Sequence, residues 1–403
     1  MRRHLSRTRG QKAAFLTDLH VRDAEIELHA ELLARVIEQV RDFAPDVILI
    51  GGDLAGMQVP HKATVSERNL IARTVAHLSM IAPVVCARGN HDFPGDYQFL
   101  GHFSDVTWIE GDPALVTLDT EPPLAVMVLP WLDRSRFAVG ADYRAAVHDC
   151  YRAAIKHALP DLRETHEAGG ACLLLGHAAI KGATLREGQP EVPTEDPVID
   201  LGELLADVPH FDAGFFGHYH SPQQVFPRHF YGGSLFVNEY GEEPARGWTA
   251  WAAHGEHEHR TLVQPRRIVA RYVAGTGRIE KIVPVLLATP STMSELVSEP
   301  PERAVLKLVA AVPSPGALAA AREEAAGYIG ALAAHEIEAK AIFEVAHVER
   351  SREGAEATAA ATTMTAKFGH WIGSLDEKPP KVDERRAVEL LAEIEAELDK
   401  AEP

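Results

Sequence analysis

Val47-Ile48-Leu49-Ile50-Gly51-Gly52-Asp53 is an apolar run of strand length that closes on two glycines and a carboxylate. A short apolar run bounded by turn residues is the pattern of a strand buried on both faces. A residue that closes such a strand sits at the carboxyl edge of the sheet, where open α/β folds place their ligands. The arrangement recurs along the chain. Ala13-Ala14-Phe15-Leu16-Thr17 leads into Asp18-Leu19-His20, and a strand at Pro83 to Ala87 leads into Gly89-Asn90-His91-Asp92. Ala171 to Leu175 leads into Gly176-His177, and Ala213-Gly214-Phe215-Phe216 into Gly217-His218-Tyr219-His220. Strand edges can therefore bring Asp18, His20, Asp53, Asn90, His177, His218 and His220 to one point. That is enough oxygen and imidazole nitrogen for two divalent ions and too much for one.

Two ions about 3.5–4 Å apart can clamp the oxygens of an in-line phosphoryl displacement and activate a water. Asp53, in the middle of the order, is the expected bridging carboxylate. Asp18, His20 and His220 complete one metal; Asn90, His177 and His218 complete the other. His218 and His220, two positions apart, point the same way from a strand exit. Oxygen and imidazole without thiolate favour Mn²⁺, with Fe²⁺, Mg²⁺ and Zn²⁺ as alternatives. His91 and Asp92 are the expected catalytic pair. His91 is placed as general acid, and a carboxylate beside an imidazole orients it and favours its charged form.

The rest of the chain alternates strand and helix. Ile26 to Phe43 carries apolar residues at helical spacing, and Pro45-Asp46 ends it. A second helix is expected from about Thr64 to Met80, and a third from Asp142 to Glu167, interrupted by Pro160. Short strands are expected near 105–109, 114–118 and 124–129, and again from 223 to about 284. The pattern fits an α/β fold, two sheets flanked by helices. Pro-rich residues 284–301 suggest a boundary, so the first domain is drawn as 1–285. Val305 to Val309, Ala317 to His335 and Ala341 to Val345 form a small β-α-β unit, drawn as 300–350. Residues 351–403 are expected to be a linker and a charged terminal helix, Asp383 to Ala401, with Val388, Leu391, Ile394 and Leu398 along one side.

The bulk properties exclude several classes. The 403 residues favour two or three domains, and 46% hydrophobic content permits a substantial core. A formal net charge of −18 argues against holding nucleic acid on a broad basic surface. It is compatible with a nuclease whose metals face the phosphate and whose partner supplies basic surface. Cys86, Cys150 and Cys172 are unclustered, and Cys86 and Cys172 lie within apolar runs, as expected for buried thiols in a reducing compartment rather than metal ligands. No apolar stretch reaches the ~18 residues of a membrane span. The basic start, Met1 to Arg9, lacks an apolar core and is expected to be a solvated arm, not a signal peptide, so a cytoplasmic location is expected. His254 to His259 is expected to be a polar hairpin tip.

Residues 13 to about 250 resemble the calcineurin-type metallophosphoesterase superfamily. Within it they are most similar to the SbcD/Mre11-type DNA repair nucleases of bacteria and phages. Gly217-His218-Tyr219-His220-Ser221-Pro222-Gln223 resembles that group's Gly-His-x-His-x-Pro-Gln. Tyr231-Gly232-Gly233-Ser234, Tyr240-Gly241-Glu242-Glu243 and Arg246-Gly247-Trp248 resemble its Tyr-Pro-Gly-Ser, Phe-Gly-Glu and Lys-Gly-Phe. The unit after residue 300 resembles the group's DNA-contacting capping domain. The resemblance implies the metallophosphoesterase β-sandwich and Mn²⁺-dependent exonuclease and endonuclease activity on DNA. It also implies a homodimer and an SMC-type ATPase partner of the SbcC or Rad50 kind, docked by 383–401. Mre11 proteins carry a catalytic His three residues after the bridging Asp. Here that position is Gly56, as on the SbcD side, and His61 is the nearby substitute to consider. Arg68, Tyr97, Lys181, Tyr219 and Arg246 are candidate DNA contacts from loop position. Two other readings stand beside this one: a small-molecule metallophosphodiesterase acting on a cyclic nucleotide or similar compound, and a metal-binding scaffold subunit without catalysis.

Overall fold

The structure is a computed structural model; it describes residues 11–56, 62–184, 196–206, 208, 211–242, 245–253, 256–284, 290–301 and 304–346. His61, the segment 351–366 and the terminal helix expected at 383–401 lie outside the described residues. Two compact units divide between Arg267 and Ile268.

The first unit contains fourteen strands in the described residues and part of a fifteenth. They are β1 (Lys12–Leu16), β2 (Val47–Ile50), β3 (Val84–Ala87), β4 (Val106–Ile109), β5 (Ala114–Leu118), β6 (Leu124–Leu129), β7 (Ala171–His177), β8 (Ala179–Ile180), β9 (Val198–Ile199), β10 (Ala213–Gly217), β11 (Gln223–Phe226), β12 (His229–Tyr231), β13 (Gly247–Ala252) and β14 (Glu256–Thr261). Its helices are α1 (Ile26–Phe43), α2 (Val65–Ser79), α3 (Tyr143–Glu167) and the short α4 (Leu201–Leu204). One six-stranded sheet has the order β14-β13-β1-β2-β3-β4 and the other β11-β12-β10-β7-β6-β5. Strands β1 to β4 are mutually parallel, as are β6, β7, β10 and β12.

Burial on both faces of the central strands makes this a four-layer sandwich. Ala13, Phe15, Val47, Leu49 and Val85 face inward, against Val126, Val128, Leu173, Leu175 and Phe215 of the opposite sheet. Their neighbours Ala14, Leu16, Ile48 and Ile50 face outward, onto Leu32, Leu33 and Val36 of α1 and Ile71 and Val75 of α2. Met127, Leu129, Leu174 and Phe216 pack in the same way on Val147, Tyr151, Ile155 and Leu162 of α3. The period of two along each strand decides which layer a residue joins. Helix α1 spans the same residues that periodicity predicts. Helix α2 begins on Thr64, whose side chain accepts from the Glu67 N–H while the Glu67 carboxylate returns to the Thr64 N–H, a capping box.

Three expectations are corrected. Helix α3 runs unbroken through Pro160. The buried face of Ile155, Ala158 and Leu162 outweighs the one backbone bond that proline removes. The His-rich segment reaches beyond a hairpin tip: His257 and His259 lie on β14, paired with Trp251 and Thr249, while residues 254 and 255 lie outside the described residues. The boundary falls earlier than Pro284, because β15 (Arg266–Val273) and β16 (Arg278–Val283) pair into the following sheet. There the Ala274 N–H donates to the Ala311 carbonyl over 3.0 Å.

That second unit holds the order β16-β15-β17-β18, with β17 at Ala304–Val312 and β18 at Glu338–Val345. Helices α5 (Met293–Ser298) and α6 (Leu318–Ala333) contribute Met293, Leu296, Ala321 and Leu332 to a core with Ile268, Tyr272, Leu306 and Leu308. It is a four-stranded α+β unit, one hairpin larger than the predicted β-α-β. No helix among the described residues is long and apolar enough to cross a membrane.

Phe15 is fully buried between the sheets, its ring centroid 5.3 Å from that of Phe215. Phe15→Ala is expected to remove about 3–5 kcal/mol from the first unit's stability. A chemical-denaturation midpoint unchanged from wild type would show that the sandwich does not depend on this contact.

Candidate metal centre

Every expected ligand lies just past, or at the end of, a parallel strand. β1 ends at Leu16 before Asp18 and His20, β2 at Ile50 before Asp53, and β3 at Ala87 before Asn90; β7 ends on His177 and β10 on Gly217, before His218. The two sheets thus open their carboxyl edges onto one place. The turns there are tied together: the Asp18 N–H donates to Gly52 O and the His20 N–H to Asp53 O, both over 3.0 Å.

Four of these residues hold left-handed backbone, a conformation that L side chains avoid: Asp18 at φ 49°, His20 at 44°, Asp53 at 54° and His218 at 104°. Each such residue carries strain on the order of 1–3 kcal/mol, and strain concentrated on side chains that converge points to a functional site. Close approach also explains Gly89. A Cβ there would fall 2.1 Å from Asp53 Oδ1 and 2.4 Å from the Asp53 nitrogen.

The side chains do converge. Asp18, His20 and His220 offer ligand atoms within 4.8 Å of one another, and so do Asp18, Asp53 and His177. His177 Nε2 is 3.3 Å from Asp53 Oδ2 and 2.9 Å from Asn90 Oδ1. His218 Nδ1 is 3.1 Å from Asn90 Oδ1. His20 Nε2 is 3.9 Å from Asp53 Oδ2 and 3.0 Å from His220 Nε2. The other ring nitrogens of His20 and His177 face carbonyls, Gly56 O at 2.5 Å and Gly51 O at 2.6 Å. Those carbonyls assign a ring N–H to the outward side, so the inward nitrogen is the one left to meet a cation, as a lone pair on neutral His20 and after loss of its proton on His177. Lone pairs aimed at carboxylates and at one another are the arrangement a cation satisfies, and the donor set of carboxylate, amide oxygen and imidazole fits two divalent ions.

The electrostatics agree. Burial pushes Asp18 up to about 7, helped by the like charge of Asp53. Burial opposes ionisation of Asp53 as well, but the imidazoles of His177, His91 and His20 together hold it well below the usual carboxylate range. Burial lowers His20 to about 4 and His218 to about 3, and lowers His220 too, so three rings are neutral at physiological pH. His177 moves the other way. Burial alone would lower it, but Asp53 and Asp18 raise it to about 9.

The remaining expectations divide. His91 is 15% exposed at its side chain, with Nε2 3.9 Å from Asp53 Oδ2 and its backbone N–H donated to Asp53 Oδ1 over 2.9 Å. It stands beside the cluster. Asp92 is placed differently from the expected partner of His91. Its carboxylate accepts the N–H groups of Asp53 (3.0 Å), Leu54 (2.8 Å) and Gly89 (2.8 Å), so it clamps two ligand turns together. Among the candidate DNA contacts, Tyr97, Tyr219 and Arg246 are corrected. All three are buried, Tyr97 against Phe99 and Trp108, Tyr219 against Tyr231, and Arg246 in an ion pair with Glu242. Arg68 is half-buried beside Asp96, and Lys181 is exposed and paired with Asp200.

Sequence reading missed four neighbours of the cluster. Trp131 lies under His218, ring centroids 5.4 Å apart, and Arg88 spans from the Asp92 carbonyl to Asp133. Asp196 and Glu242 stand behind His218 and His220. Trp131 closely follows the run Leu124 to Leu129, Arg88 directly precedes Gly89-Asn90-His91-Asp92, and Glu242 lies in the motif Tyr240-Gly241-Glu242-Glu243, so each had a local signal. Asp196 comes from a segment with no ligand pattern.

Protons held by His177 and Asp18 must leave when a cation is ligated, so affinity falls as pH falls. Mn²⁺ uptake at pH 7 is expected to release about one to two protons per chain, measured by calorimetry in buffers of different ionisation enthalpy. Uptake without proton release would remove both residues from the ligand set. Asp53→Ala is expected to lose at least one ion by the same titration.

The sequence profile of the calcineurin-like phosphoesterase family matches residues 12–222. A curated relative, the SbcD subunit of the SbcCD nuclease of Staphylococcus saprophyticus, is 24% identical over 228 residues, 54% of this chain and 57% of that protein. The chain therefore matches a little over half of that relative's length. Among solved structures, a Thermus thermophilus protein aligns with a TM-score of 0.37 at 12% identity, covering 62% of this chain and 97% of that one. A dimetal phosphatase from Danio rerio aligns at 0.39 and 11%, covering 60% and 91%. The family match spans more than half of the 403 residues and contains all seven converging residues, and on that ground the protein belongs to the calcineurin-like phosphoesterase family of metal-dependent hydrolases.

Proposed function

We propose that the protein is a Mn²⁺-dependent DNA exonuclease and endonuclease, the nuclease subunit of an SbcCD-like assembly that repairs or processes DNA. The observation that carries this is the convergence of six donors around Asp53 with His91 at its edge, in a chain whose curated relative belongs to an SbcCD nuclease. Asp53 would be shared by two divalent ions, one held with Asp18, His20 and His220 and the other with Asn90, His177 and His218. Bound there, the ions supply Lewis acidity toward the phosphoryl oxygens and lower the pKa of a water.

The chain's own residues do the rest. Asp92 holds the Asp53 and Gly89 turns at a fixed separation, so the ligand set is organised before substrate arrives. His91 stands next to the bridging carboxylate, partly exposed, and gives its proton to the leaving oxygen of the scissile phosphodiester. Of the five candidate DNA contacts, Arg68 and Lys181 remain, because their side chains reach the surface. The acidic balance of −18 gives little attraction for a polyanion, which favours an SMC-type ATPase of the SbcC or Rad50 kind as the source of basic surface. A homodimer, a DNA-contacting role for the second unit, docking of the ATPase through 383–401 and a cytoplasmic location complete the proposal.

The metal-loaded protein is expected to degrade linear DNA in Mn²⁺. His91→Ala is expected to lower the rate by about 10²–10⁴-fold while both ions still bind. Rapid hydrolysis of a cyclic nucleotide with no digestion of any DNA end would move the assignment to a small-molecule phosphodiesterase. Loss of an ion in His91→Ala would make His91 a ligand instead of an acid.

A further inference from the structure

The outward ring nitrogens of the four ligand histidines fall into two classes. His20 and His177 rest on backbone carbonyls. The two histidines of Gly217-His218-Tyr219-His220 face carboxylates, and they do so with opposite nitrogens. His218 turns Nδ1 toward Asn90 and Nε2 toward Asp196, 3.7 Å from its Oδ2. His220 turns Nε2 toward His20 and Nδ1 toward Glu242, 4.0 Å from its Oε1.

Both carboxylates are brought there by built structure. The chain leaves the centre at His177, and β8, two residues on, pairs in parallel with β9. The Lys181 N–H extends that ladder to Ile199 O over 2.9 Å. The ladder returns the chain to the site and sets Asp196, two residues before β9, against His218. Glu242 is buried and held from several sides. Its Oε2 accepts the Asn238 N–H (2.8 Å) and the Glu239 N–H (3.2 Å). Its Oε1 lies 3.2 Å from Arg246 Nη2, and Arg246 also donates to the His220 carbonyl.

The geometry points to Asp196 and Glu242 as positioning residues of the metal centre, each setting one histidine and through it the affinity of a different ion. The inference rests on the two-metal reading above. A carboxylate behind a ligand imidazole fixes which nitrogen carries the proton, holds the ring plane and strengthens the inward nitrogen as a donor. At 3.7 and 4.0 Å the contacts are ion-pair distances rather than formed hydrogen bonds, so charge is the property to remove in a test. Asp196, 21% exposed, would by its own charge repel a phosphodiester at the rim. Its place opposite a ligand ring is accounted for if that charge acts on the ligand.

The test is Mn²⁺ titration of the metal-free full-length chain by calorimetry, with electron paramagnetic resonance to report ions that are spin-coupled. Asp196→Asn keeps the shape and removes the charge. It is expected to weaken one of two ions by about ten- to a hundredfold and to leave the other within about twofold of wild type. Glu242→Gln is expected to weaken the other ion. Because Glu242 is buried against Arg246, circular dichroism checks that variant's fold, and if it unfolds, Asp196→Asn decides the matter alone. An Asp196→Asn protein with both ion affinities at wild-type values, whether or not the substrate KM changes, overturns the inference. A wild-type chain that takes up fewer than two ions overturns the two-metal reading itself, and this inference with it.

Discussion

Asp18 and Asp53 are buried carboxylates whose oxygens lie within 4.8 Å of each other and of a His177 nitrogen. Around them the rings of His20, His218 and His220 are kept neutral by burial, and they turn lone pairs inward. Negative charge and lone pairs held together away from water are unfavourable unless positive charge is placed among them. The rise of His177 to about 9 is one response, since a protonated ring partly compensates the two acids. Two divalent ions compensate far more. The rest of the first unit is arranged around that demand.

Holding such a cluster requires a frame that cannot relax, and the sandwich supplies one. Its central strands are packed on both faces, so their carboxyl ends have little freedom. The ligand turns beyond those ends take up left-handed backbone at four ligand positions, strain that the surrounding packing sustains. Asp92 adds a further fastening. By accepting three backbone N–H groups it ties the turn after β2 to the turn after β3, and its burial is compensated by those bonds. A carboxylate next to the proposed acid His91 in sequence thus fastens the Asp53 turn in space.

Charge balance separates the chemistry from binding. The centre is equipped to act on a phosphoester, but the chain as a whole is acidic. Of the residues expected to grip DNA, Tyr97, Tyr219 and Arg246 are interior groups. Arg246 in particular is committed to Glu242 and the His220 carbonyl. In the proposed function, phosphate attraction comes from the metals, from Arg68 and Lys181 at the surface, and from the basic surface of an ATPase partner.

Sequence alone determined the parts of this protein that depend on local pattern. The apolar runs at Val47 to Ile50 and Ala13 to Thr17 locate strands, and the residues that follow them are the ones that converge. The helical spacing from Ile26 to Phe43 defines α1 residue for residue. Those features are written in short windows, where the side-chain period states the element and a strand end states the sheet edge. Only the tertiary structure decided which nitrogen of each histidine faces inward, that Asp92 clamps the backbone of Asp53 and Leu54 rather than a ring, and that the hairpin of β15 and β16 joins the second unit. It likewise set Asp196 and Glu242 behind His218 and His220. Each of these depends on contacts between residues far apart in the chain, and no local window contains both partners.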